Sequence, residues 1–190
     1  MMDKALVVSC TKKSVTFFSE ILKAASINQI VSLNTAGEAR RILLEQDFDL
    51  VIVDSPLADE SGENLSRYIS SKDASQVILA VKSEHFEAIA SVCEDDGVLA
   101  IPKPVNIDVF WSALSLAKST GNRIRRIQAE NERLKQKIED IRIVDRAKLI
   151  LVSCMNLSEQ EAHKYIEKQA MDMRSTKRAI AEEILKTYEN

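Results

Sequence analysis

Aromatic residues make up only 5% of this 190-residue chain, and histidine, cysteine, proline and glycine number two, three, three and four. Cys10, Cys93 and Cys154 are odd in number and far apart, which excludes both a disulfide framework and a zinc motif, because each needs paired ligands at set spacings. Reduced thiols in apolar surroundings are the expectation. His85 and His163 lack any ligand constellation, and no nucleophile stands with a base, so no metal and no enzymatic activity are expected. No apolar run approaches the roughly 18 to 20 residues that cross a bilayer; the longest are stretches such as Val77 to Val81. The run Ala5 to Val8 is too short for a signal-peptide core, so a cytoplasmic protein without a membrane partner is expected.

What is present suits packed helices and strands. The chain is 45% hydrophobic and 29% charged, a balance that forms a core rather than a disordered coil. Its length accommodates an ordinary domain and a smaller one. Residues 1–120 hold 11 Lys and Arg against 17 Asp and Glu, a net −6; residues 121–190 hold 15 against 12, a net +3. An acidic front half and a basic back half raise the expectation of a nucleic-acid partner at the C-terminal end.

Short apolar runs rich in β-branched residues recur at Lys4–Ser9, Gln29–Leu33, Asp49–Asp54, Gln76–Val81 and Gly97–Ile101, with helical spacing between them. Thr35 with Glu38 suits a capping box and Asn106 an N-cap. Strands alternating with crossover helices predict an α/β fold, a doubly wound five-stranded parallel sheet. Its carboxyl-end crevice would gather Ser9, Cys10, Asp54, Val81 and Lys103.

Asp54 closing the run Asp-Leu-Val-Ile-Val-Asp, Gly62 eight residues on, and Lys103-Pro104 after the fifth run resemble the receiver domain of two-component response regulators, a flavodoxin-like fold, over residues 1–120. The resemblance implies that Asp54 accepts a phosphoryl group contacted by Lys103, with Mg²⁺ held by two acidic residues ending the first strand. Those two positions are Ser9 and Cys10. The family's hydroxyl and aromatic switch residues likewise fall on Val81 and Ala100. A hydroxyl and a thiol are poor ligands for a small hard cation, so Mg²⁺ is disfavoured and no cofactor is expected. Asp59 and Glu60 are the candidate replacement ligands. Asp54 is thus either a phosphate acceptor or, as we favour, an inherited aspartate paired with Lys103 in a receiver-like domain that has lost ordinary phosphorylation.

From Gly121 the pattern changes. Ile124, Ile127, Asn131, Leu134, Ile138 and Ile141 follow one another at spacings of three, four, three, four and three. This is a coiled-coil seam with Asn131 at an a position, where one polar residue fixes register in a parallel pair. Residues 121–141 are therefore expected to be a dimerisation helix of a homodimer; the alternative is one amphipathic helix lying on its own protein. The helix then runs on through Val144, Ala147, Leu151 and Cys154 to Asn156 and Leu157. Ser158-Glu159-Gln160-Glu161 opens a second helix with a capping box, on which Ala162, Tyr165, Ile166, Gln169, Ala170 and Met173 trace an apolar stripe. A third begins near Ser175 and is expected to bury Ile180, Ile184 and Tyr188, completing a three-helix bundle over 142–190.

Asp145-Arg146-Ala147-Lys148-Leu149-Ile150-Leu151, Leu157-Ser158-Glu159-Gln160-Glu161-Ala162, Lys168-Gln169-Ala170-Met171, Arg174 and Ile180-Ala181-Glu182-Glu183-Ile184-Leu185 closely resemble the ANTAR domain. That resemblance implies an RNA-binding output module of a response regulator, acting as a dimer on paired stem-loops of nascent mRNA in transcription antitermination. Hairpin loops offer phosphates and splayed bases to basic side chains. Arg174, Lys177, Arg178, Lys148, Arg146, Lys168 and Lys164 are the candidate RNA contacts; Tyr165, on the apolar stripe, is assigned to packing. The competing expectation is a phosphorylation-independent adaptor whose helical tail docks on another regulator. Neither the transcript nor a sensor kinase is named by the sequence.

Overall fold

The computed structural model describes residues 2–72 and 75–188. The chain divides into two compact units, residues 1–126 and 127–190.

In the first unit, β1 (Lys4–Ser9), β2 (Gln29–Leu33), β3 (Leu50–Asp54), β4 (Gln76–Lys82) and β5 (Leu99–Lys103) form one parallel sheet in the order β2-β1-β3-β4-β5. Helices α1 (Lys12–Ala24), α2 (Ala36–Glu45), α3 (Glu63–Lys72), α4 (Phe86–Glu94) and the start of α5 (Ile107–Met155) connect and cover it. Two apolar layers result. Phe18 and Leu22 of α1 pack with Phe110 and Leu114 of α5 on one face; Ala39, Leu65, Ile69 and Cys93 of α2, α3 and α4 pack on the other. β1 and β3 are apolar on both sides because both faces are covered.

Local signals place the helices. The Asn106 amide oxygen accepts from the backbone N–H of Asp108 at 2.8 Å, capping α5. The Thr35 hydroxyl accepts from Glu38 N–H at 3.2 Å, while the Glu38 carboxylate reaches Asn34 N–H instead of Thr35. The fifth strand starts two residues later than expected, at Leu99, because Gly97 has φ +72° and belongs to the turn that ends α4. It then runs through Pro102 to Lys103, and the missing N–H of proline is tolerated there because β5 is an edge strand.

The second unit contains the rest of α5, then α6 (Glu159–Asp172) and α7 (Lys177–Tyr188). Ala147 and Leu151 meet Ala162, Ile166 and Ala170 of α6 and Ile180, Ala181 and Ile184 of α7 in a small core. Asn156, with φ 55°, turns the chain after α5, a conformation that asparagine accepts more readily than most residues. The Ser158–Glu161 capping box forms in full.

Three expectations are corrected. Tyr165 and Met173 are exposed: the buried line on α6 is Ala162, Ile166 and Ala170, and Tyr165, one residue earlier, is rotated by about 100° from Ile166. Tyr188 is exposed as well, since the covered face of α7 is centred on Ile180, Ala181 and Ile184. Of the cysteines, only Cys93 is buried; Cys10 and Cys154 are exposed. Burial pushes the Cys93 thiol pKa up.

Candidate functional site

The register of the sheet aligns Ser9 of β1 with Asp54 of β3, and Lys82 of β4 with Lys103 of β5. The carboxyl ends of these strands form the crevice. Asp54 is 4% exposed and Ser9 fully buried. The Ser9 hydroxyl donates to Asp54 Oδ2 at 2.7 Å and accepts from Thr11 N–H at 3.2 Å. Lys103 Nζ forms an ion pair with Asp54 Oδ1 and also donates to the Ser55 carbonyl. Both oxygens of Asp54 are thus engaged from within. Gly62 supports the loop that follows β3: its φ of +90° and a Val53 methyl 2.8 Å from where a Cβ would sit leave room for no other residue.

The donor set does not fit Mg²⁺. Cys10 turns its thiol to the Pro56 carbonyl at 3.4 Å. Asp59 caps α2, its two oxygens accepting from Ala36 N–H at 2.8 Å and Gly37 N–H at 2.9 Å; these backbone hydrogen bonds hold its carboxyl below the usual range. Glu60 takes the Arg40 guanidinium at 2.9 and 3.0 Å and the Leu65 N–H at 3.0 Å. Both candidate replacement ligands serve the loop rather than the crevice. Among the described residues no three Asp, Glu, His or Cys side chains come together in a metal-ligating group.

In the second unit the candidate RNA contacts divide into two sets. Arg178 Nη1 reaches Asp140 Oδ1 at 2.7 Å and its Nε reaches Glu182 at 2.8 Å. Lys177 pairs with Glu167. Lys148, its side chain only 15% exposed, lies 2.7 Å from Asp145 and 3.3 Å from Glu159. These pairs shift the acids and bases in opposite directions: the Arg178 hydrogen bond holds the Asp140 carboxyl low, the Lys177 hydrogen bond holds Glu167 low, and the Asp145 hydrogen bond raises Lys148. Arg146, Lys164, Lys168 and Arg174 are exposed. Arg174 has φ 48°, in the turn between α6 and α7, an uncommon conformation for a long side chain. Lys148, Lys177 and Arg178 line one cleft of about 480 Å³; Lys168 and Lys164 stand on the exposed surface of α6.

The expected seam is bare from Ile127 onward, whereas Ile124 at its start is half-buried. Ile127, Leu134, Ile138 and Ile141 are each about half exposed, at 51, 47, 53 and 60%, far more than side chains packed on their own chain would be. Asn131 donates its side-chain amide to the Ile127 carbonyl at 3.2 Å.

Residues 132–185 match the ANTAR domain. The chain has the receiver plus ANTAR architecture. Over 139 residues it is 27% identical to the transcriptional regulatory protein PdtaR of Mycobacterium tuberculosis, an overlap of 73% of this chain and 68% of that protein. Solved structures similar to the first unit include the signal receiver domain of an HD domain-containing protein from Pseudomonas fluorescens Pf-5 (19% identity, TM-score 0.58, covering 66% of this chain and 93% of that one). The non-phosphorylated HemR receiver domain of Leptospira biflexa (21%, 0.53, 60% and 93%) and the response regulator TrrA of Thermotoga maritima in complex with Mg²⁺-BeF (21%, 0.53, 61% and 99%) are others. These likenesses establish the fold of the front unit. The ANTAR match begins within the heptad stretch, at Glu132, takes in all of α6 and ends at Leu185 in α7. The ANTAR match and the likeness to a transcriptional regulatory protein support, at family level, a regulator of the ANTAR type. No helix among the described residues is long and apolar enough to cross a membrane.

Proposed function

We propose that this protein is a cytoplasmic, non-enzymatic regulator that binds paired stem-loops of nascent mRNA as a homodimer and does so without Mg²⁺-dependent phosphorylation of Asp54. The observation that carries the RNA reading is the convergence of Lys148, Lys177 and Arg178 from α5 and α7 on one cleft of the ANTAR domain, with Arg174 in the turn beside α7. The dimer rests on the uncovered apolar line from Ile127 to Ile141, where a second helix would remove four large side chains from water.

The front unit acts in this proposal as a closed scaffold. Phosphoryl transfer needs cationic help for the charge that develops on the transferring group, and here the Asp54 oxygens are already taken by Ser9 and Lys103. Treatment with a small phosphodonor and Mg²⁺ is expected to leave the intact mass unchanged; an adduct abolished by Asp54→Asn would reinstate the phosphate acceptor.

The RNA reading is tested by changing Arg174, Lys177 and Arg178 together to Ala. Affinity for a paired stem-loop RNA should fall while helicity and sedimentation stay as they were. If each side chain neutralises one phosphate, the slope of log affinity against log salt should become shallower by up to about two units, at roughly 0.7 per phosphate for single-stranded regions. Wild-type affinity and slope in the triple variant would move the RNA surface to Lys164 and Lys168. Absence of any RNA binding by the unaltered protein would favour the adaptor, for which the exposed Leu149 and Met171 would be the docking residues.

A further inference from the structure

The heptad phase that selects Ile127, Leu134 and Ile141 on α5 next selects Asp145 and Lys148. Ile141, Asp145 and Lys148 all line the cleft, so the apolar seam runs straight into it. The opposite wall is the start of α7, where the Thr176 hydroxyl caps the helix by accepting from Ala179 N–H at 3.1 Å and Lys177 and Arg178 follow. Cations from two helices therefore face one concave surface.

Each of these cations is met by a carboxylate from another part of the unit. Asp140 stands 38 residues from Arg178 and Glu167 ten residues from Lys177. Asp140 is itself steadied, Gln136 donating its side-chain amide to the same Oδ1 at 2.8 Å. A guanidinium or ammonium group makes the same charge-assisted hydrogen bonds to a phosphate oxygen as to a carboxylate oxygen. The pairs are accessible: Arg178 and Asp140 side chains are 34 and 41% exposed, Lys177 and Glu167 49 and 40%. Exposed ion pairs of this kind hold weakly, and a ligand that brings several phosphates at once can displace them.

We propose that the cleft is a phosphate-binding site that the free chain fills with its own carboxylates, and that RNA enters by exchanging its phosphates for Asp140 on Arg178 and for Glu167 on Lys177. This rests on the RNA reading above and adds regulation to it. The carboxylates act as an internal competitor. An isolated anion gains little by displacing them, whereas a structured RNA that presents phosphates to both cations together gains two contacts in one event. Selectivity for folded RNA over scattered negative charge follows from that competition.

The test uses the full chain with Asp140→Asn and Glu167→Gln together, substitutions that keep side-chain shape and remove two charges. Inorganic pyrophosphate, followed by the NMR signal of the Arg178 Nε–H, and a fluorescently labelled hairpin RNA, followed by anisotropy, are the two probes. Both should bind about tenfold more tightly to the double variant, and its salt slope for RNA should steepen by about one unit, because two phosphates no longer displace carboxylates. Adding Arg178→Ala removes the pyrophosphate reporter and should cancel the gain in hairpin RNA affinity read by anisotropy. Glu132→Gln with Glu139→Gln removes the same charge at heptad positions off the seam and serves as the control. Pyrophosphate binding no tighter in the double variant, or an equal gain in the control, would overturn the exchange. Tighter pyrophosphate binding with no hairpin RNA bound by either protein would instead overturn RNA as the ligand and, with it, the reading on which the inference rests.

Discussion

The crevice of the front unit and the cleft of the back unit use the same chemistry, a carboxylate paired with a cation, to opposite ends. In the crevice the Asp54 side chain is 5% exposed and that of Lys103 25%; in the cleft Asp140 and Arg178 are 41 and 34% exposed. Burial turns an ion pair into a fixture, because removing one partner strands the other without water. Exposure makes it exchangeable, because water and salt are always ready to replace either partner. The unit with the phosphate-acceptor residues Asp54 and Lys103 is therefore the closed one, and the open charges lie in the ANTAR domain.

The largest expected effect breaks the buried side. Lys103→Met leaves Asp54 charged, covered and held by Ser9 alone, and should destabilise the front unit by about 3 kcal/mol. A urea titration followed by Trp111 fluorescence measures it through the midpoint. A loss below about 1 kcal/mol would mean that water reaches Asp54 and that the contrast between the two sites is not one of burial.

Next in size is an attempt to open the crevice. Ser9→Asp with Cys10→Asp supplies the two carboxylates that the chain lacks there, at the cost of the Ser9 hydrogen bond to Asp54. Millimolar Mg²⁺ should raise the melting temperature of this variant and leave that of the unaltered protein unchanged. At ten times its dissociation constant the ion contributes about 1.4 kcal/mol. Stabilisation of the unaltered protein to the same degree would show that other groups rearrange to hold the ion.

Much of this architecture was legible in the sequence, and what was not has a physical reason. Continuous apolar runs ending in Ser9 and Asp54 announced strands covered on both faces, and Ser158 with Glu161 announced α6, because these signals lie within a few residues of each other. The pairing of Asp54 with Lys103 was readable through the spacing of a known family. The partners of the cleft cations were not: Asp140 and Arg178 lie on different helices, and no local pattern connects them. Nor was the role of Asp59, which caps α2 from 22 and 23 residues away. Tyr165 was misplaced for a different reason, since an apolar stripe can be read at i, i+3 and i+4 alike and only the packing of Ala162, Ile166 and Ala170 decides which line is buried.

On the exposed side, Arg178→Ala should cost the back unit far less than Lys103→Met costs the front unit, since it removes only surface pairs with Asp140 and Glu182. The measurement is hydrogen exchange of the α7 amides under native conditions. Set beside Lys103→Met, it gives the ratio on which the comparison stands. A loss as large as that of Lys103→Met would make the cleft pair structural, and an exchange with phosphate would then be too costly to occur.

The smallest effect is the response of the cleft to acid. Asp140 and Glu167 have carboxyls held below their usual values by hydrogen bonds from Arg178 and Lys177 respectively. A group whose pKa is lower in the folded than in the unfolded chain contributes stability above its unfolded value, and that contribution is lost as pH falls through the folded value. The window therefore opens near the ordinary carboxylate values of 3.8 and 4.5 and extends below them; at neutral pH both contributions are fully present. Because both carboxylates stand in water, the change should be small, a modest loss of amide protection in α7 as pH falls. The protein carrying Asp140→Asn and Glu167→Gln should lose less over the same interval, having no charge there to neutralise. Equal losses in the two proteins would place the acid sensitivity of the back unit elsewhere, first at Glu161, whose carboxyl the Ser158 hydroxyl and N–H also hold low, and would show that the cleft pairs contribute nothing to the free chain beyond occupying its cations.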